Sequence, residues 1–153
     1  MNDIDKEILN IIQQDARISN AEIARQVGLA PSAVLERVRK LEERGVIRGY
    51  SANLDPKQIG FGLTAFIFVR VSFCSSIGEE LAKIPEVLEV HEIAGEDCYL
   101  LKVRAENTEE LAKFFPEKLK PLPEVVSTRT TIVLQTLKES SALPIKGLEE
   151  KQK

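Results

Sequence analysis

The stretch SNAEIARQVGLAPSAVLERVRKLEERG, residues 19–45, decides how the N-terminal part of the chain folds. Within it, Ala24, Gly28 and Val34 have the spacing of two helices that meet at a steep angle. Such a pair needs a small residue at the contact, a residue that tolerates positive φ in the turn, and a branched apolar anchor on the second helix. Alanine, glycine and valine meet these needs in that order. The stretch therefore predicts a helix-turn-helix, the motif whose second helix enters the major groove of DNA.

Two helices are predicted before the turn. Isoleucines recur at helical spacing in residues 4–12 behind an acidic start, which suits the positive end of a helix dipole. Ser19 and Glu22 form a capping box, in which the serine oxygen and the glutamate carboxylate are both expected to satisfy free amides of a second helix. We expect Gly28 to end that helix.

A third helix is predicted from about Pro31 to Arg44, because proline suits a first turn and Gly45 follows the end. Residues 45–50 predict a short strand between glycines, a small wing that brings a basic side chain near a phosphate. Early residues of the second helix of such a motif contact base edges, and flanking basic side chains contact phosphates. We therefore expect bases to be contacted by Ser32, Ala33 and Glu36, and phosphates by Arg37, Arg39, Lys40 and Arg48.

The distribution of charge agrees with one discrete DNA contact. The chain of 153 residues has a formal net charge of −3, yet residues 30–50 hold five basic against three acidic residues. A locally basic stripe on an acidic protein fits a single nucleic-acid surface. Taken singly, each of these charges is better explained as the solvated side of a surface helix. The three-helix order, the spacing and the basic stripe together favour DNA binding.

The C-terminal two thirds contain an internal repeat. The pentapeptide EELAK occurs at residues 79–83 and again at 109–113, and IPEV at 84–87 is echoed by LPEV at 122–125. Coincidence is the alternative explanation, because these are common helix formers. Since a strand is predicted before each helix, the first of them at residues 63–73, we expect the ferredoxin-like order βαββαβ.

The expected fold is α+β, with a winged helix-turn-helix domain at residues 1–50 and a turn-rich linker at 51–62. A ferredoxin-like domain for dimerisation and effector sensing follows at residues 63–138, and a polar tail of disordered composition at 139–153. Two helices on one side of the predicted sheet leave its other face open. That face is expected to be apolar and to be covered by dimerisation.

Residues 92–99 predict a tight turn between the second and third strands, with an exposed carboxylate pair at Glu96 and Asp97. A turn that presents backbone amides and carboxylates suggests a sensor for a small amine-bearing ligand. It is explained equally well as a solvated hairpin turn in which Gly95 is needed for its conformation.

The composition gives little support to other chemistries. Cys74 and Cys98 lie in strand-like apolar surroundings and are predicted to be buried thiols, and His91 is the single histidine. We expect no catalytic residue, no metal site and no cofactor. No apolar run reaches the roughly 18 residues of a membrane helix, and the acidic N-terminus does not resemble a secretory signal. We therefore expect no membrane partner and a cytoplasmic location.

Matches to one known family extend over nearly the whole chain. They lie at residues 3–9, 15–19, 27–29, Val34, 37–38, 41–42, 45–47, 54–56, Gly95, 99–101 and 130–134. By these motifs the chain resembles the leucine-responsive and asparagine-responsive (Lrp/AsnC) family of prokaryotic transcriptional regulators. So many matches at matching intervals are more specific than any single short motif.

The resemblance implies a regulator that binds pseudo-palindromic operators in double-stranded DNA as a homodimer built through the C-terminal sheet. Dimers of this family often assemble further into a ring, such as an octamer. The resemblance also implies a small-molecule effector, an amino acid, held between dimers near the turn and the last strand. The effector-binding residues would be Gly95, Glu96, Asp97, Tyr99 and Thr130.

The chain departs from the family pattern at two positions. Ala30 stands where a serine or threonine usually caps the recognition helix, so Ser32 is expected to assist there. Cys98 stands at a common aspartate of the Gly-x-x-Asp-Tyr turn. Two alternatives follow: either Asp97 takes over that role, or the protein does not sense an amino acid.

Two other functions compete with a regulator. Sirohaem decarboxylases share this architecture, but their chemistry needs basic groups in the cavity of the sheet face, and His91 with Arg104 or Arg129 is a thin supply. A ligand-binding module with a vestigial DNA domain is disfavoured, because the basic stripe and the capping signals are intact. We therefore expect a protein that is not an enzyme.

Overall fold

The computed structural model describes residues 1–72 and 77–146. These residues form two compact units, one of residues 1–53 with 138–146 and the other of residues 54–137. Each unit has its own hydrophobic core. The thiol expected at Cys74 and the last part of the tail lie outside the described residues.

The N-terminal unit consists of three helices, α1 (Asp3–Gln14), α2 (Asn20–Val27) and α3 (Pro31–Glu43). Ala24 and Val34 are almost completely buried where α2 meets α3, and Gly28 adopts a left-handed conformation with φ of 70° at the end of α2. The alanine, glycine and valine thus have the roles that their spacing predicts. Their buried partners include Ile8 of α1 and Ile23 of α2.

Half of the predicted capping box is present. Ser19 Oγ accepts a hydrogen bond from the Glu22 amide at 3.1 Å. The Glu22 carboxylate, however, accepts bonds from Arg25 and Gln26 further along the same helix. These two hydrogen bonds, with Arg25 the larger cause, lower the pKa of Glu22 to about 2. The predicted return bond was wrong because a guanidinium is a stronger partner for a carboxylate than an amide.

Residues 45–50 do not form the predicted strand. Gly45 is left-handed with φ of 68°, and the amides of Val46 and Ile47 both donate to the Leu41 carbonyl, which folds the chain back onto the end of α3. A strand requires a neighbouring strand to receive its hydrogen bonds. No described residue of this unit offers one, so the segment that carries Arg48 is an irregular loop.

The described residues of the tail, 139–146, are hydrogen-bonded to α1. The side-chain amide of Gln13 forms two hydrogen bonds with the backbone of Leu143, donating to its carbonyl at 3.1 Å and accepting from its amide at 2.7 Å. Asn10 Nδ2 donates to the Ile145 carbonyl at 3.1 Å. The polar composition predicted disorder, but these two amide side chains act as hydrogen-bond partners for the backbone of the tail.

The C-terminal unit has the predicted order of elements. It contains β1 (Leu63–Val71), α4 (Ile77–Ala82), β2 (Val87–Glu92), β3 (Tyr99–Ala105), α5 (Thr108–Phe114) with a π-helical turn (Phe115–Leu119), and β4 (Val125–Ile132). The strands form one antiparallel sheet in the order β2-β3-β1-β4. This is the ferredoxin-like topology, and both copies of the repeated pentapeptide begin inside its helices. None of the described helices is long and apolar enough to cross a membrane.

The two faces of the sheet differ in composition. Alternate residues of β1 and β3, such as Ile67 and Leu101, are buried in the core with α4 and α5. The open face has Phe66 and Phe68 of β1 near its centre, both half-buried. Basic side chains and an ion-paired glutamate surround these two rings. The centre of the open face is thus apolar, as predicted, but its rim is charged. The charged residues of the rim are Arg70, Glu89, Lys102, Arg104 and Arg129.

Candidate DNA-binding and effector sites

Helix α3 presents a polar face to solvent opposite its buried stripe. Val34, Val38 and Leu41 form the stripe, and the remaining positions of the helix are exposed or half-buried. Ala30 provides no side-chain cap, and Pro31 lowers the need for one because it has no amide proton to satisfy. The predicted base-contacting residues Ser32, Ala33 and Glu36 therefore lie in the first half of an accessible helix.

Three of the predicted phosphate-contacting residues are ion-paired in the free protein. Lys40 Nζ lies 3.0 Å from Glu36 Oε1, and Arg39 Nε lies 3.5 Å from Glu43 Oε1, both between exposed side chains. The hydrogen bond from Lys40 lowers the pKa of Glu36 below its usual range. Exposed pairs of this kind are worth less than about 1 kcal/mol. DNA phosphates can therefore replace these carboxylates as partners at little cost.

Arg37 differs from the other basic residues of α3. Its Nη1 donates to Asp5 Oδ1 of α1 at 2.8 Å, and the Asp5 side chain is mostly buried. Arg37 thus links the first and third helices, a structural role that helical spacing could not indicate. The link leaves the Arg37 side chain about one third exposed, so it remains accessible to a phosphate while it is bound to Asp5.

The loop after α3 places Arg48 in solvent, two residues before Tyr50, which is hydrogen-bonded to α3. Tyr50 donates from its hydroxyl to Glu42 Oε1 at 2.8 Å, which ties the loop to the end of α3. Desolvation, with the bond to Glu42 as the second cause, raises the pKa of Tyr50 to about 12. The hydroxyl therefore keeps its proton, and the loop its anchor, at any physiological pH.

Sequence reasoning missed one accessible residue of α3. Leu35 is 55% exposed, although the neighbouring Val34 is completely buried. The signal was present in the helical spacing, because Leu35 lies three residues after Ser32 and four before Arg39 and so shares their side of the helix.

The turn between β2 and β3 is held by backbone bonds on both sides. The Ile93 amide donates to the Cys98 carbonyl, and the Cys98 amide donates to Val69 of β1, each at 2.9 Å. Cys98 is a half-buried free thiol packed against the core. Gly95 lies outside the left-handed region, and a Cβ there would meet nothing within 4 Å. The conformational explanation for this glycine was therefore wrong.

Asp97 is buried and is directed at the open face of the sheet. Its Oδ2 accepts from Arg129 Nη2 at 2.9 Å, and its Oδ1 lies 3.9 Å from Arg70 Nε. The Arg129 guanidinium also lies 4.1 Å from the centre of the Phe68 ring. The Asp97 carboxylate is thus ion-paired with two arginines of the open face.

Two of the other predicted effector residues, Tyr99 and Thr130, lie on the side of the sheet that carries the helices. The Tyr99 ring is buried, and an added Cβ at Gly78 would come within 3.0 Å of it. Thr130 is exposed on the edge strand β4 on that same side, since it pairs with the core residue Ile67. Gly95 and Glu96 are exposed in the turn. Tyr99 and Thr130 therefore share the helix side of the sheet, whereas the Asp97 side chain is directed at the open face.

Two family models match complementary parts of the chain. A winged helix-turn-helix DNA-binding model matches residues 1–48, and the Lrp/AsnC ligand binding domain model matches residues 64–143. These two ranges cover the three-helix unit and the sheet domain.

Curated relatives match over almost the full length. The chain is 42% identical to the HTH-type transcriptional regulator FL11 of Pyrococcus horikoshii, covering 95% of this chain and 97% of the relative. It is 38% identical to the leucine-responsive regulatory protein of Escherichia coli K12, covering 94% and 90%.

Solved structures agree with these relatives. A transcriptional regulator of Neisseria meningitidis in complex with L-Met has a TM-score of 0.88 at 31% identity, covering 94% of this chain and 96% of that one. An AsnC family transcriptional regulator of Agrobacterium tumefaciens has a TM-score of 0.89 at 29% identity, covering 94% and 97%.

The fold, the two family models and the exposed polar face of α3 define a DNA-binding transcriptional regulator with a ligand-binding domain. More closely, the chain belongs to the Lrp/AsnC family. The family and the fold predicted from the sequence are thereby confirmed. The relatives described above are named as regulators, and none supports a sirohaem decarboxylase.

Proposed function

We propose that this protein binds operator DNA through α3 and is modulated by an amino acid. The single observation that carries the DNA half is an accessible helix on which Arg39 and Lys40 are paired only with exposed, replaceable carboxylates. Ser32, Ala33 and Glu36 contact bases in this proposal. Arg39, Lys40 and Arg48 contact phosphates, and Arg37 contributes while it holds Asp5.

The proposal includes a homodimer joined through the open face of the sheet. Two recognition helices related by a two-fold axis fit a pseudo-palindromic operator with half-sites about one DNA turn apart. Further assembly into an octamer of four dimers remains part of the proposal. Such a regulator acts in the cytoplasm, because the operator DNA of bacteria and archaea lies there. Binding DNA and an effector requires no catalytic residue.

Replacing Lys40 with alanine is expected to weaken operator binding and to reduce the slope of log affinity against log salt by about 1. The physical reason is that one phosphate contact, and the counterion released with it, is lost. The measurement is fluorescence anisotropy with operator DNA recovered by in vitro selection, at four or more salt concentrations.

Lys83→Ala is the matched control for this prediction. Lys83 is an exposed lysine in an equivalent pair with Glu80, but it follows α4 in the other unit. It should leave both affinity and salt slope unchanged. Equal effects of the two substitutions, or no effect of Lys40→Ala, would mean that Lys40 does not contact a DNA phosphate.

The effector half of the proposal rests on the ligand-binding domain and on the accessible turn. The Neisseria relative is in complex with L-Met, which supports an amino acid as the class of ligand. Gly95 and Glu96 offer exposed backbone and a carboxylate, and Thr130 offers a hydroxyl on the same side as the Tyr99 ring. Because Asp97 is already paired with Arg129, we assign it to positioning the turn. The exposed carboxylate of Glu96 then binds the ammonium group, a third alternative to the two that the family pattern left open.

One of the twenty amino acids is expected to raise the melting temperature of the protein, as a ligand that binds only the folded state must. Thr130→Ala should shrink that ligand-dependent shift. Ser51→Ala is the control, since it also removes an exposed hydroxyl group but lies outside the sheet. No shift with any amino acid, or equal losses in both variants, would refute the assignment.

A further inference from the structure

The apolar side chain of Leu35 stands on a helix face that is otherwise polar. It is 55% exposed, and Ser32 and Arg39 flank it at helical spacing. An isolated exposed leucine is common on protein surfaces and by itself indicates nothing. Its location in the first half of α3 is what gives it meaning, because residues there reach base edges in a helix-turn-helix.

The charged neighbours of Leu35 are engaged with one another in the free protein. Glu36 is paired with Lys40, and Arg39 with Glu43. When DNA phosphates take over the basic groups, the carboxylates remain close to a polyanion. An apolar side chain is not repelled by the phosphates. It only gives up its contact with water when it reaches a base edge, which is favourable.

We propose that Leu35 contacts the C5-methyl group of a thymine in each half-site and so selects for thymine there. The major-groove edge of thymine is the only one of the four that carries a methyl group. This inference rests on the proposed function and adds a specificity that the polar residues of α3 do not supply. It makes the operator sensitive to the loss of that methyl group.

The test uses the full-length protein and deoxyuridine, which differs from thymidine only by the missing methyl group. In vitro selection with the wild-type protein first defines an operator. Each thymine of one half-site is then replaced in turn by uracil, and affinity is measured by fluorescence anisotropy. We expect one replacement to weaken wild-type binding about fourfold, the effect of one methyl group removed from water.

Leu35→Ala should bind the thymine operator more weakly and should no longer distinguish thymine from uracil at that position. Leu88→Ala is the matched control, because Leu88 is 54% exposed but lies in β2 of the other unit. It should retain the wild-type preference.

Each other outcome counts against the inference. If every thymine can be replaced without loss, or if Leu35→Ala keeps the fourfold preference, Leu35 does not contact a thymine methyl. Both of these results are compatible with operator binding, so they would refute only the inference about Leu35. If the wild-type protein enriches no sequence at all, the proposed function fails and this inference fails with it.

Discussion

Replacing Phe68 with lysine is expected to convert the proposed dimer into monomers. Phe68 lies near the centre of the open face, opposite Leu100 on β3 and Arg129 on β4. A lysine there removes the ring on which the Arg129 guanidinium is stacked and adds a charge of the same sign. In a two-fold interface the change occurs twice, so two unpaired cations must be buried.

Lysine is the informative choice because aspartate would find Arg129 as a new partner. Burying an amino group without a partner costs several kcal/mol, enough to weaken a dimer by on the order of a thousandfold. Affinity for a palindromic operator should fall on the order of a hundredfold or more, since the two recognition helices no longer bind as one unit. Sedimentation equilibrium and anisotropy measure these two effects.

The control for the dimer prediction is Leu54→Lys, which places the same charge on an exposed apolar residue outside the sheet. It should remain dimeric and bind the operator normally. A thermal melt of each variant verifies that the C-terminal unit is folded. If Phe68→Lys is folded and still dimeric, the protomers are joined through another surface.

Val34→Asp is expected to unfold the N-terminal unit and to abolish operator binding. Val34 is completely buried among the three helices, in a cluster that also contains Ile8, Ile23 and Ala24. A carboxylate there has no partner, and its burial costs several kcal/mol. Small domains are stable by only about 0.05–0.15 kcal/mol per residue, so this cost is comparable to the whole stability of the unit.

Leu35→Asp is a closely matched control, because it introduces the same charge at the next position of the same helix. Leu35 is 55% exposed, so the charge stays in water and the unit should remain folded. Far-ultraviolet circular dichroism at 222 nm and urea titration distinguish the two variants. Similar helical signals and similar midpoints would mean that Val34 is not part of an essential core.

The helix-turn-helix was predictable because its determinants are local. Gly28 follows the last residue of α2 and takes the left-handed conformation that its position in the turn requires. The burial of Ala24 and Val34 follows from helical periodicity within a few turns of chain. The repeat in the C-terminal domain was visible for a similar reason, since each copy places a helix just before a strand.

The predictions from the sequence were wrong where a residue or segment had several possible hydrogen-bonding partners or conformations. Glu22 could have bonded to its own helix start but is nearer to Arg25. Residues 45–50 had the composition of a strand but lack a neighbouring strand in the described part of their unit. Gly95 was explained by a conformation that it does not adopt. Composition does not say which competing partner is present.

The sequence alone determined the class of protein, the helix-turn-helix and the order of elements in the sheet that follows it, because periodicity and turn residues act over short stretches of chain. Only the tertiary structure decided which of the charged side chains are already engaged. Arg37 is bound to Asp5 and Asp97 to Arg129, each across 32 residues of sequence, and Gln13 holds Leu143 across 130. Such contacts depend on how separate elements pack, and no local pattern contains that information.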